Sequence, residues 1–279
     1  MSTTTLQAPM SKTGEDQALL DHQAQRRRQV WRQRTLPIIG VATLLFTWWA
    51  IVVGLGVKPF IAPSPFLVLE TLYAKRAVLL DNLLPTAMEA AGGFLIGNLV
   101  AIAVATIFVH NKTLHDIFFP VALMLNAIPI VAKAPVLVLI MGNGVEPKIA
   151  IAALVCFFPS LVNMVRGLDA ANPQAMELMR VLSASKTEVF FKLRLYSSLP
   201  YLFSALRISA SVAVIGAVVG EWIGATTGIG ALIIQATYNF DSALLYSAIV
   251  MSALLTGAFY LAVALLERAV VRWHPEQPH

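Results

Sequence analysis

Three ionisable side chains, Glu89, Lys133 and Glu221, stand inside otherwise apolar runs, and the amides of Asn98, Asn126 and Asn163 share that setting. Such groups are costly in hydrocarbon, so they pair with one another or face a water-filled path. Two readings compete for Lys133, which lies between Pro129 and Pro135. Pairing with Glu89 or Glu221 as helix glue is the favoured one; contact with a transported solute is the other. Asn126, Lys133, Asn163 and Glu221 are therefore the candidate path residues. Arg207 falls near the end of a run, where snorkelling or packing accounts for it. Nothing here resembles catalysis. The aspartates (Asp16, Asp21, Asp81, Asp116, Asp169 and Asp241) fall in loops, tails or at run edges, which leaves no intramembrane aspartate pair. The histidines (His22, His110, His115, His274 and His279) are scattered, which predicts no metal site. Gly-x-Ser-x-Gly is absent, as is any phosphate-cradling Gly-x-x-x-x-Gly-Lys loop, so neither an enzyme nor a bound cofactor is expected.

The elements that position these residues follow from composition. Of the 279 residues, 58% are apolar and only 13% charged, at a mean hydropathy of +0.74, about half the charge of an ordinary soluble domain. The chain cannot cover itself with a polar surface and reads as all-helical and membrane-embedded. Its net charge of +5 is no signal for nucleic acid, because the basic residues flank apolar runs instead of gathering on one face. Cys156, alone in an apolar run, reads as a small buried hydrophobe. Six runs are long enough to span: 36–56, 84–109, 115–142, 147–165, 199–223 and 244–266, the third broken by Pro129 and Pro135. Residues 1–35, ending in RRRQVWRQR, read as a disordered, basic cytoplasmic tail, 36–273 as one six-helix domain, and 274–279 as a C-terminal tail. With the N-terminus inside, the segments 1–35, 110–114, 166–198 and 267–279 hold fourteen of the 20 Lys and Arg, which places both termini in the cytoplasm. Between the first two runs, Ser64 and Pro65 open a short helix with Phe66, Leu69, Leu72 and Tyr73 at helical spacing, read as lying at the outer interface.

The longest cytoplasmic loop, 166–198, contains a second amphipathic stretch. From Pro173, Leu178, Leu182 and Val189 share one helical stripe while Glu177, Arg180, Thr187 and Glu188 lie elsewhere on the circumference. A helix of this kind, tethered between two spans, is either a plain interfacial helix or a docking element.

Its residues resemble the EAA loop of the permease subunits of ABC importers. Glu177-Leu178-Met179 stand at the acidic-plus-small triplet, Ser183 at the glycine, Leu193 at the aliphatic position, and Leu199-Pro200 at a second Leu-Pro; Tyr196 stands where proline is usual. AIPIVAKAPVLVLIMGNG (127–144) resembles the family's third span, PSP (63–65) its outer-loop motif, and GEWIGATTGIGALI (220–233) the acidic residue and Gly-x-Gly of its last outer loop. The resemblance covers about 36–273 and points to the nitrate/sulfonate/taurine branch. It implies a type I ABC-importer permease fold with a coupling helix between helices 4 and 5. Glu177, Leu178, Met179, Ser183, Ala184, Ser185 and Lys186 would then engage a cytoplasmic ABC ATPase dimer, with the 174–190 helix as a lever. ATP and Mg would be bound by that partner, not by this chain. A periplasmic or lipid-anchored substrate-binding protein, a second copy of the chain, and the lipid of a bacterial inner membrane complete the implied assembly. Its solute would be a nitrate-, sulfonate- or taurine-like anion, or an aromatic or vitamin-precursor molecule. The rival reading is a secondary transporter, which usually shows internal repeats; none is evident between the two halves.

Overall fold

A computed structural model describes residues 12–271, with side chains placed from Trp31 onward except at 33 and 34. Every regular element among the described residues is helical. They fall into two units that part at Pro65.

The first unit is built on α1, Lys12–Gly54, one continuous helix whose apolar portion is Thr35–Gly54. The disorder expected over 1–35 is corrected for residues 12–35. No Gly or Pro interrupts 15–36, the segment is rich in good helix formers (Gln, Ala, Leu, Arg), and the adjoining span supplies the nucleus that a short helix lacks. Residues 1–11 and the tail 274–279 lie outside the described residues. Just past its end at Gly54, Gly56 has a φ of +61°, the left-handed conformation glycine adopts without strain.

The second unit starts with α2, Pro65–Ala74, where a helix is expected from sequence. Val68 and Thr71 are buried, whereas Phe66, Leu69 and Tyr73 of the expected stripe are exposed. Then come α3 (Arg76–His110), α4 (Lys112–Ala127), α5 (Ile130–Met141), α6 (Glu146–Asp169), α7 (Pro173–Val181), α8 (Lys186–Val189), a π-turn at Phe190–Arg194, α9 (Leu195–Glu221), α10 (Ile229–Tyr238) and α11 (Ser242–Val270). Five helical segments, four of them in this unit, are long and apolar enough to cross a membrane. The expected third span is not one helix: α4 and α5 meet at 99°. Only Pro129 breaks it. The residue before a proline avoids the helical region, and Ile128 is extended at φ −69°, ψ 124°. Pro135 instead sits inside α5.

Packing centres on α6, with α3 against one side and α9 against the other. Both neighbours carry Gly-x-x-x-Gly, the spacing that lets membrane helices approach closely. A Cβ at Gly97 of α3 would overlap the carbonyl of Ala153, and one at Gly216 of α9 would come within 2.7 Å of the Ala152 Cα. Around this seam Ala90, Cys156, Ala213, Val214 and Ala217 form one buried cluster, and Ala101, Ala105, Leu161, Met164 and Leu168 another. Three hydroxyl and amide side chains inside the trio are bonded to one another or to backbone. Ser160 donates to Asn98 Oδ1, lies 2.9 Å from Ser209 Oγ, and Ser209 bonds the Cys156 carbonyl at 3.2 Å. Toward the other helices, Ala134, Ile151 and Val219 hold α5, while Phe203, Ala210 and Val263 hold α11.

Candidate functional site

The acidic residues inside the membrane form a closed assembly. Lys148 of α6 places Nζ 3.3 Å from Glu89 Oε1 of α3, with both side chains buried. Glu89 Oε2 has no donor among the described residues, and the carboxyl of Glu221 lies close enough to interact with it. Glu221, at the end of α9 and 1% exposed, accepts from Thr86 Oγ1 at 2.6 Å and from the Gly230 amide at 2.5 Å. Thr86 in turn accepts from the Ile229 amide at 2.8 Å, and Asn82 Oδ1 from the Gly228 amide at 2.9 Å. The first amides of α10, orphaned by helix geometry, are thus capped by side chains of α3 and α9. Gly228, at φ +114°, makes this turn possible, since a Cβ there would strike the Glu221 carboxyl. The Gly228-Ile229-Gly230 turn is therefore a helix cap clamped by Glu221.

Lys133 is not part of this assembly. The favoured pairing with Glu89 or Glu221 is corrected: Lys148 takes that place beside Glu89. Lys133 reaches back across the bend and donates to the Leu125 carbonyl at 3.0 Å. The physical reason is the break itself, which frees the last carbonyls of α4, and an ammonium is a suitable cap for a helix C-terminus. Asn126, beside Leu125, is exposed, and so are Ile128 and Val131. Asn163 is half-buried and donates to the Pro159 carbonyl within α6 at 2.8 Å. The structure brings Lys133 and Asn126 together at one bend, keeps Asn163 on α6, and encloses Glu221.

In the 166–198 loop the expected single 174–190 helix is corrected to two. Asn172 caps α7 by accepting from the Gln174 amide at 2.8 Å, and Pro173 occupies its first turn. The helix stops because Ser183 adopts φ +54°, a left-handed conformation. Ser185 then starts α8 with a reciprocal capping box: its Oγ accepts from the Glu188 amide at 3.3 Å, and Glu188 accepts from the Ser185 amide at 2.9 Å. That backbone bond holds the Glu188 carboxyl below the usual carboxylate range. From α8 the chain continues through the π-turn into α9, so the loop is rigidly joined to a span. Glu177, Leu178, Ser183, Ser185 and Lys186 are exposed, while Met179 and Ala184 are half-buried. Leu178, Val181 and Leu182 form an uncovered apolar stripe, with Val181 80% exposed.

Sequence reading missed Lys148, Thr86 and Asn82, because nothing in spacing alone links them to Glu221. It also passed over Gly93-x-x-x-Gly97 and Gly216-x-x-x-Gly220, which were legible as helix-packing signals.

Residues 97–273 match the family described as "Binding-protein-dependent transport system inner membrane component". The chain is 33% identical to the riboflavin transport system permease protein RibX of Chloroflexus aurantiacus, over 87% of this chain and 91% of that one. It is 30% identical to the formylaminopyrimidine transport permease protein ThiX of Halalkalibacterium halodurans, over 84% and 94%. To the taurine transport system permease protein TauC of Escherichia coli it is 26% identical, over 92% and 98%.

Proposed function

Since this chain belongs to the binding-protein-dependent transport system inner membrane components, in the nitrate/sulfonate/taurine branch of ABC-importer permeases, we propose that two copies of it form the solute channel of an ATP-driven importer. The chain is a multi-pass transport subunit and not an enzyme; ATP hydrolysis belongs to a separate partner in such systems. In this reading α4 and α5 together make the sixth span, the termini and the 166–198 loop face the cytoplasm of an inner membrane, and a substrate-binding protein delivers the solute from outside. The solute is a small anion of the taurine type, or an aromatic or vitamin-precursor molecule like those named for the relatives.

The observation that carries the proposal is the coupling segment. An exposed apolar stripe with Glu177 beside it lies on α7, and α7 is joined through a capped turn, α8 and the π-turn to the span α9. A push on α7 from an ATPase dimer is transmitted to α9 because no flexible linker intervenes. Glu177, Leu178, Met179, Ser183, Ala184, Ser185 and Lys186 form this coupling surface. Lys133 and Asn126 border the path at the bend of α4 and α5, where broken backbone is tolerated only against protein or a watery cavity; Asn163 lies on the adjacent α6. Glu221 contributes by holding the outer turn.

The test is reconstitution of the chain with its ATPase and binding protein in proteoliposomes. ATP-dependent uptake is expected. Glu177→Arg is expected to leave assembly intact and uncouple hydrolysis from uptake, and Lys133→Met to lower uptake at least tenfold without lowering the melting temperature. Uptake without ATP, or wild-type coupling in Glu177→Arg, would refute the reading.

A further inference from the structure

A groove of about 420 Å³ lies beneath the coupling segment, between the end of α3 and the start of α8. Its walls are of two kinds. Val109, Met176, Val189 and Phe190 supply apolar carbon, Arg180, Lys186 and Arg194 supply cationic groups, and His110 lies beside them. Arg194 is already engaged, donating to the Leu168 carbonyl at 3.3 Å and to Asp169 at 3.2 Å. The side chains of Arg180 and Lys186 make no hydrogen bond or ion pair among the described residues. Of the nearby acids, Asp169 pairs with Arg194 and Glu188 with the Ser185 cap and Lys192, while Glu177 lines a neighbouring groove to which Arg180 also contributes. His110 donates through Nδ1 to the Thr106 carbonyl at 2.8 Å, since a carbonyl only accepts, which leaves Nε2 unused by that bond.

Two unpaired cations converging on one half-apolar groove require an anion that also carries hydrocarbon. We propose that this groove binds the phosphate headgroup of an acidic phospholipid of the cytoplasmic leaflet, with the phosphate between Arg180 and Lys186 and the glycerol end against Val109, Val189 and Phe190. Basic pockets at the cytoplasmic ends of spans suit such headgroups. The depth is right, because Val109 and His110 end the apolar helix α3. The groove is distinct from the exposed apolar stripe, although Ala184 and Lys186 belong both to its wall and to the coupling surface. Met176 and Arg180, one turn apart, line the groove, while Leu178 and Val181 of α7 and Leu182 at its C-cap are exposed and do not line it. A free phosphate would leave the apolar wall unused, which favours the lipid. The bound headgroup would brace α7 and α8 from beneath, and through Ala184 and Lys186 it would adjoin the surface that meets the ATPase. The leaflet assignment rests on the orientation proposed above.

The test is native mass spectrometry of the purified full chain in mild detergent, titrated separately with short-chain phosphatidylglycerol, phosphatidylcholine and inorganic phosphate. Phosphatidylglycerol is expected to bind at least tenfold more tightly than phosphatidylcholine. Arg180→Gln and Lys186→Gln are each expected to weaken it about fivefold, as for ~1 kcal/mol per cation near an anionic surface. Lys192→Gln, which removes a cation outside the groove, should leave binding unchanged. Equal binding of the two lipids, or unchanged binding in both single variants, would overturn the site. Inorganic phosphate binding as tightly as phosphatidylglycerol, with the same dependence on Arg180 and Lys186, would overturn the lipid as its occupant. Should a glutamine variant not fold, the lipid comparison on the native chain still decides. Labelling of Ser183→Cys from the outer side would sink the orientation alone, since the binding measurement does not depend on which leaflet the groove faces.

Discussion

At the scale of single residues, the molecule separates charge that holds helices together from charge left available. Lys148 and Glu89 are the first kind. Removing one partner of a buried pair strands the other, at a cost of about 3–5 kcal/mol. Lys148→Met is therefore expected to lower the melting temperature of the purified chain steeply, and Glu89→Gln in the same chain to restore much of the loss. A Lys148→Met protein that melts with the wild type would remove this pair from the account of stability. Ser183 makes a different demand. Its left-handed backbone costs a side-chain-bearing residue about 1–2 kcal/mol, and glycine escapes that cost. Ser183→Gly should retain solute-stimulated ATP hydrolysis in the reconstituted complex, whereas Ser183→Val, β-branched at the same φ, should lose most of it. Equal hydrolysis in the two variants would show that the turn does not govern coupling.

At the scale of elements, helix ends are held by side chains that capping rules alone only partly foresee. Asp241 is the N-cap of α11, accepting from the Leu244 amide at 3.0 Å, and it also meets Lys75 at 2.6 Å. The Lys75 bond, and secondarily the cap, hold the Asp241 carboxyl below its ordinary range. A depressed carboxylate contributes stability that is present above its unfolded pKa and lost as pH falls through the folded one. Acidification below the usual carboxylate range should therefore loosen the junction of α11 with the segment between α2 and α3. Asp241→Asn keeps an acceptor for the cap but loses the ion pair. It should flatten this part of the pH dependence while costing no more than ~1 kcal/mol near neutrality, because the pair is partly exposed. Melting curves of the two proteins between neutral and acidic pH check this; parallel curves would contradict it.

For the whole molecule, the decisive prediction is sidedness. A cysteine at Ser183, with Cys156 buried and inert, gives one accessible thiol among the described residues. It is expected to react with a membrane-impermeant maleimide only from the cytoplasmic side, and to be shielded when the ATPase dimer assembles. Labelling from outside in intact cells would invert the assignment of every loop.

The chain by itself determined that it lives in a membrane, because a sequence with so few charges has nothing else to face. The runs of apolar residues and the flanking Lys and Arg located its spans, and Pro173 with the stripe of Leu178, Leu182 and Val189 marked a helix in the coupling loop. The Ser183 turn and the Ser185–Glu188 cap that divide it came only with the structure. Pro129 announced a break, since its effect on Ile128 is local. Only the tertiary structure decided which charges meet. Glu89, Lys148, Thr86 and Glu221 come from three helices and are far apart along the chain, and their pairing depends on how closely α3 and α9 approach α6. That approach is set by glycines whose absent side chains admit a neighbouring backbone. Lys133 turned instead to the Leu125 carbonyl, because the 99° bend exposes helix ends that a straight span would have closed.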